Sequence, residues 1–202
     1  MSGVFQPSYN WTNEWRQFKK GDHESFRRIY DFFYDRLFHY GTKITNDDEL
    51  VEDCIQELFI KLYTHRENLS DTKQLEFYLL KSLKLTIYQK LRKKSRVEDL
   101  NLSLDAFNLE LEIESEEHVG IENKRIQLVK DTVQELTPSA REILYLKFYS
   151  NLSYKEIGEL LGIQPDSAKK QVYRIISRLK EILADQFLEL FSLHINIKSF
   201  LK

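Results

Sequence analysis

The sequence predicts an all-α chain of two small helical domains joined by an acidic linker. Three observations carry that expectation. Apolar residues recur at intervals of three and four along most of the chain, the period of a helix face. Glycine and proline are scarce, with 6 and 3 in 202 residues, too few for a turn-rich β chain. Charge also reverses abruptly near the middle: residues 81–96 hold seven Lys or Arg and no acid, whereas residues 97–122 hold nine Asp or Glu and no base.

The elements follow in order. In DHESFRRIYDFFYDRLFHYG the residues Phe26, Ile29, Tyr30, Phe33 and Leu37 form one stripe, and Gly41 is expected to end the helix in a left-handed conformation. In TNDDELVEDCIQELFIKLYTHR a second stripe runs through Val51, Cys54, Ile55, Leu58 and Leu62, with Asn46 or Asp47 as cap. A third helix carries Leu75, Leu79, Leu83, Ile87 and Leu91 and becomes basic toward its end. The acidic block after it reads as a self-repelling, extended linker. These boundaries give an N-terminal domain over 13–94, a flexible linker over 95–121 and a C-terminal domain over 122–183. Past the linker, Ile121, Arg125, Leu128, Val129 and Val133 mark one helix, and Thr137 with Pro138 opens the next. The extension 184–202 holds Phe187, Leu188, Leu190, Phe191 and further apolar residues, and reads as a helix packed on the domain.

Composition narrows the function classes. A formal charge of −2 excludes a general polycation, so any nucleic-acid site must be local. The lone Cys54 and a start without a secretory pattern predict a cytoplasmic protein. No apolar run reaches the roughly 18 residues of a bilayer span, so no membrane insertion is expected. His23, His39, His65, His118 and His194 show no metal-ligand spacing, so neither metal nor cofactor is expected. No nucleophile, base and orienting group form a catalytic constellation, which argues against an enzyme.

The most informative stretch is SYKEIGELLGIQPDSAKKQVYR, residues 153–174. Ser153 and Glu156 make a capping box, Gly162 forms the corner, Ile163 plugs the joint, Gln164 caps, and Pro165 suits the next first turn. Helix, short turn and helix are thus predicted, a helix-turn-helix. Ala168, Val172, Ile175, Ile176 and Leu179 should face inward. Asp166, Ser167, Lys169, Lys170, Tyr173 and Arg174 are left outside, where early-turn side chains reach base edges and cations grip phosphate. In the N-terminal half, Asp53, Gln56, Glu57 and Lys61 make a polar stripe opposite the apolar one. On the third helix Lys81, Lys84, Tyr88, Arg92 and Lys93 interleave cations with a ring, a pattern suited to single-stranded DNA.

These residues together resemble a known family. DCIQELF is similar to the Asp-x-x-Gln-Glu-x-Phe core of region 2 of bacterial sigma factors. Residues 136–183, LTPSAREILYLKFYSNLSYKEIGELLGIQPDSAKKQVYRIISRLKEIL, resemble region 4. Two domains and an acidic linker match the extracytoplasmic-function type, over roughly residues 13–183. The resemblance implies a region 2 bundle and a region 4 helix-turn-helix. It implies core RNA polymerase as partner, through the β′ clamp helices and the β flap, with Asp53, Gln56, Glu57 and Phe59 on the clamp. It assigns Lys81, Lys84, Tyr88, Arg92, Lys93 and Lys94 to the minus-ten element. The minus-thirty-five element falls to Ser153, Tyr154, Lys155, Pro165, Asp166, Ser167, Lys169, Lys170, Tyr173 and Arg174. The loop THRENLSDTKQ falls where such factors receive a flipped base, and an anti-sigma factor is the implied regulator. Leu85 and Gln89 depart from the family pattern, which has asparagine and aspartate there, and Gly158 stands where alanine is frequent. A stand-alone helix-turn-helix regulator of duplex DNA is the competing function; it would have no use for the Asp53, Gln56, Glu57 stripe.

Overall fold

The computed structural model describes residues 10–94, 107–109 and 121–183, and side chains at 121–126, 128, 182 and 183 are outside that description. All regular structure among the described residues is helical. The chain divides into two units, Met1–Glu98 and Asp99–Lys202.

The N-terminal unit is built from α1 (Trp11–Lys19), α2 (His23–Ile44), α3 (Asp48–Thr64) and α4 (Leu75–Lys94), with a single 3-10 turn at Arg66–Asn68. Helix α1 is an addition to the three expected helices. Asn10 caps it by accepting from the Asn13 N–H, and Trp15 and Phe18 are buried. Its indole also reaches the loop before α4, where Trp15 Nε1 donates to the Ser70 carbonyl at 3.0 Å. Lys19 pairs with Asp71 at 2.7 Å in the same loop.

Gly41 does not end α2, which continues to Ile44. Its role is close approach rather than a left-handed cap: a Cβ there would lie 2.5 Å from Val51 Cγ1 and 3.4 Å from Ile87 Cδ1. The missing side chain lets α3 and α4 press onto α2. Asp47 is the cap of α3, accepting from the Leu50 N–H, and Lys94 at 2.9 Å fixes its other oxygen. The expected apolar stripe of α3 is fully inside, with Val51, Cys54, Ile55, Leu58 and Leu62 all buried. Burial pushes the Cys54 thiol up to about 11, so it stays protonated at neutral pH. Cys54 is therefore expected to resist iodoacetamide in the folded protein and react only after denaturation, which a thiol titration with and without urea would check.

The C-terminal unit comprises α5 (Ile121–Gln134), α6 (Pro138–Leu144), a π turn at Tyr145–Tyr149, α7 (Tyr154–Leu161) and α8 (Pro165–Leu183). Thr137 caps α6 by accepting from the Ala140 N–H, with Pro138 in the first turn. Val133 is buried as expected, whereas the side chains of Ile121, Arg125 and Leu128 lie outside the described residues. The π turn widens the helix by one residue and turns Tyr145 and Leu146 into the core, where Tyr145 stacks on Tyr149 at 4.7 Å. The linker expectation of 95–121 needs correction at Phe107 and Leu109, which are buried against this unit, and Ile121 already belongs to α5. Apolar side chains in an acidic stretch found a core to enter. The rest of the linker and the extension 184–202 lie outside the described residues.

Candidate functional site

On α3 the polar stripe stands as the spacing predicts. Asp53, Gln56 and Lys61 are exposed and Glu57 is half-buried. Glu57 pairs with Lys61 at 2.6 Å and, through its other oxygen, with Lys90 of α4 at 3.4 Å; Lys90 also lies 3.9 Å from Asp53. The hydrogen bond from Lys61, aided by its charge and by Lys90, holds the Glu57 carboxyl below the usual glutamate range. Glu57 therefore stays ionised at neutral pH, and Lys90 ties it to α4.

Phe59 does not stand on that polar stripe. It is 3% exposed, with its ring edge-on to Tyr30 at 4.8 Å. Position 59 falls on the inner arc between Leu58 and Leu62, and the ring serves as the floor of a groove between α2 and α3. That groove, about 430 Å³, is lined by Phe26, Tyr30, Gln56, Ile60 and Tyr63 above the Phe59 floor. Ile60, 65% exposed, was missed in the sequence although it continues the polar stripe four residues after Gln56. The surface is thus mixed, with an acidic and amide row bordered by apolar side chains.

Helix α4 corrects a second assignment. Lys84 is 6% exposed, with its Nζ 5.5 Å from the Tyr88 ring centre. Both α2 and α3 pack on α4, so its buried arc is wide and takes in Leu80 and Lys84 beside Leu79, Leu83 and Ile87. Lys81 and Tyr88 are half-buried, with Lys81 Nζ 5.7 Å from the Phe77 ring. Arg92, Lys93 and Lys94 are exposed. Leu85 and Gln89, the two departures from the family pattern, are exposed as well, Leu85 by 54%. The exposed part of this face is consequently more apolar than its charge count suggested.

The helix-turn-helix has the predicted local logic. Ser153 accepts from the Glu156 N–H at 3.3 Å, and Glu156 Oε2 accepts from the Ser153 N–H at 2.7 Å, closing the capping box. Gly162 ends α7 with φ +68°, the left-handed conformation. The crowded glycine is Gly158, where a Cβ would meet the Ile163 carbonyl oxygen at 2.7 Å and Pro165 N at 3.2 Å. Gln164 stands just before α8, and its main-chain carbonyl accepts the first-turn hydrogen bonds from the Ser167 and Ala168 N–H groups.

Ala168, Val172 and Ile175 are buried and Ile176 and Leu179 half-buried, so α8 presents the expected face inward. Pro165, Asp166, Ser167, Lys169, Lys170, Tyr173 and Arg174 are all exposed, as are Ser153 and Lys155 of the preceding helix start. Tyr154 is half-buried, with Lys147 Nζ 4.8 Å over its ring, and burial followed by the nearby Tyr173 phenol raises its pKa. Lys169 lies 5.9 Å from the Tyr173 ring centre. One side of the motif thus gathers cations, hydroxyls and a 60% exposed tyrosine around the N-terminal turns of α8.

The comparisons with known proteins agree with this arrangement. Residues 29–97 match the model of Sigma-70 region 2, and residues 126–179 match Sigma-70, region 4. RNA polymerase sigma factor SigZ of Bacillus subtilis is 30% identical over 155 residues, covering 77% of this chain and 85% of the relative. ECF RNA polymerase sigma factor SigW of the same organism is 23% identical over 177 residues, covering 84% and 95%. Among solved structures, the sigma factor RpoE in complex with the anti-sigma factor NepR from Bartonella quintana superposes with a TM-score of 0.54 at 20% identity, covering 81% of this chain and 99% of that one. CnrH in complex with the cytosolic domain of CnrY gives 0.52 at 14% identity, covering 88% and 99%; both likenesses are of fold. The region 2 and region 4 matches, in the order that the two surfaces occur, show that the chain belongs to the sigma-70 family of RNA polymerase sigma factors, of the extracytoplasmic-function type, which directs promoter-specific transcription initiation.

Proposed function

We propose that the α3 surface docks core RNA polymerase and that α8 reads the upstream, minus-thirty-five promoter element. The observation that carries the second assignment is the placement of Asp166, Ser167, Lys169, Lys170, Tyr173 and Arg174 on one exposed side of α8, while Ala168, Val172 and Ile175 anchor the other. A recognition helix needs that division: buried residues fix its angle, and early-turn side chains meet base edges and phosphates. Ser153 and Lys155, at the start of α7, supply backbone contacts beside it. Asp166 accepts from a cytosine amino group, the base donor that a carboxylate fits.

On α3, Asp53, Gln56 and Glu57 meet the polymerase β′ clamp helices, with Ile60 and the groove taking apolar side chains of that partner. The β flap is the partner of the C-terminal unit. Arg92 to Lys94 at the exposed end of α4, with the exposed Leu85 and the half-buried Tyr88 further back, hold the opened minus-ten strand; stacking on a ring and cation contacts to phosphate are the two contributions such a strand requires. Lys84, being buried, positions Tyr88 rather than touching phosphate. Trp15 and Asp71 steady the loop that receives a flipped base. An anti-sigma factor competing for the α3 surface is the regulator we infer, supported by a structure of similar fold, the sigma factor RpoE, solved with the anti-sigma factor NepR. Work of this kind belongs in the bacterial cytoplasm, beside polymerase and chromosome.

Lys169→Ala and Arg174→Ala are each expected to weaken binding to upstream-element DNA and to reduce the slope of log affinity against log salt by about 1. Fluorescence anisotropy at several salt concentrations measures both. Unchanged affinity and slope in both variants would remove α8 as the reading helix.

A further inference from the structure

Five large apolar or aromatic side chains are exposed among the described residues. Ile60 and Tyr63 line the groove between α2 and α3. Phe32 rests against Trp11, with ring centres 4.4 Å apart, and lies under the Arg36 guanidinium at 4.8 Å. Tyr173 belongs to the outer side of α8. The fifth is Leu85, 54% exposed on α4. Lys81, Tyr88, Gln89 and Arg92, at intervals of three, four and seven from it, share its side of the helix. Gln89 and Arg92 are exposed, and Lys81 and Tyr88 are half-buried. One aliphatic side chain thus stands on a face otherwise made of cations, an amide and a ring. We propose that Leu85 is a specificity-determining residue of the minus-ten reader: it selects thymine in the opened strand by covering the C5 methyl of that base.

The inference rests on the assignment of α4 to the minus-ten element. Lys81 and Arg92 lie about 16 Å apart along the helix axis, roughly five nucleotide steps at the 3.4 Å spacing of a duplex strand. A strand whose phosphates meet these two cations carries its intervening bases past Leu85. The opposite arc of α4, Leu79, Leu83 and Ile87, is fixed in the core, so Leu85 cannot rotate inward away from water. Leucine has no donor or acceptor, so it cannot tell an amino group from a carbonyl. It can cover the flat face of any base, which favours none. The C5 methyl of thymine is the apolar feature on a base edge, and apolar side chains read it. Cytosine carries no methyl there, and the purines present a polar N7. Burying one such carbon corresponds to about fourfold in affinity.

Thymine and deoxyuridine differ only in that methyl. A promoter fragment with an unpaired minus-ten strand is made with each thymine of that strand replaced singly by deoxyuridine. Its affinity for holoenzyme reconstituted with the full-length protein is read by fluorescence anisotropy. At one position the replacement is expected to weaken wild-type binding about fourfold. Leu85→Ala should bind the thymine fragment about fourfold more weakly than wild type and lose nothing further with deoxyuridine there. Leu85→Asn, similar in size but polar, should lose the discrimination in the same way. Leu85→Ala keeps a strong helix former on an exposed face, so its thermal melt should match wild type. No discriminating position in wild type, or an unchanged ratio in Leu85→Ala, would overturn the proposal. Loss of holoenzyme formation by Leu85→Ala in size-exclusion chromatography would also overturn it, giving the leucine to a protein partner. Arg92→Ala combined with Lys93→Ala tests the assignment beneath it. A lower salt slope on the same fragment keeps α4 on the strand whatever deoxyuridine shows. Unchanged affinity and slope would remove α4 from the minus-ten element, and Leu85 with it.

Discussion

Glu57→Lys is expected to abolish stable binding to core polymerase while the purified protein still unfolds in a single cooperative transition. The substitution replaces a carboxylate paired with Lys61 at 2.6 Å and Lys90 at 3.4 Å by a third ammonium among them. Glu57 and its partners are partly exposed, and pairs of that kind contribute at most about 1 kcal/mol to folding, so the bundle survives. Docking suffers more, because a like charge at the centre of a complementary interface costs several kcal/mol and repels the partner during encounter. Glu57→Gln, which keeps the shape and loses the charge, should reduce affinity without abolishing it. Size-exclusion chromatography with core polymerase reads both variants, and thermal melting reads the fold. A Glu57→Lys protein that forms holoenzyme as well as wild type would dismiss the α3 docking surface.

Gly158→Val is expected to destabilise the C-terminal unit by about 3 kcal/mol and to lower upstream-element-dependent transcription by at least about tenfold. The cause lies in the turn. A Cβ at 158 would stand 2.7 Å from the Ile163 carbonyl oxygen and 3.3 Å from Pro165 Cα, and main-chain atoms cannot rotate away as a side chain can. Relief requires opening the angle between α7 and α8, which moves the reading helix. Alanine adds one carbon and should cost less, about 1 kcal/mol, with the turn shifting a few tenths of an ångström. Gly162→Ala is an informative contrast: nothing lies within 4 Å of its Cβ, so its cost comes only from the left-handed φ of 68°. Denaturant melts of the three variants should rank valine at 158 as by far the worst, with polymerase binding through α3 retained in each. Equal stability of wild type and Gly158→Val would contradict the close turn.

Much of this architecture was legible in the sequence because each local signal agreed with the packing. The Ser153 and Glu156 capping box, the Thr137 cap before Pro138 and the Val51 to Leu62 stripe all stand where spacing placed them. The errors at Lys84 and Gly41 share a source: single-helix periodicity does not reveal how many neighbours a helix has. Helix α4 touches both α2 and α3, so Lys84 is inside although its charge suggested a surface. Gly41 looked like a terminator because its value lies in contact with Val51, ten residues further along. Phe59 followed a family motif onto the docking face, while its ring turned inward and Ile60 took the exposed place. Helix α1 was missed at the start of the chain, where a short amphipathic segment lacks a long stripe to announce it. Phe107 and Leu109 were read with the charge of their surroundings rather than with their own apolar surface.

We propose that one chain carries both a polymerase-docking surface on α3 and an upstream-DNA reader on α8. The most direct test is reconstitution of the purified full-length protein with core polymerase and a promoter fragment, followed by footprinting of the DNA. The expected result is a stable holoenzyme that protects both promoter elements, with the free protein alone binding duplex DNA only weakly. No holoenzyme, together with tight and specific duplex binding by the isolated protein, would contradict it.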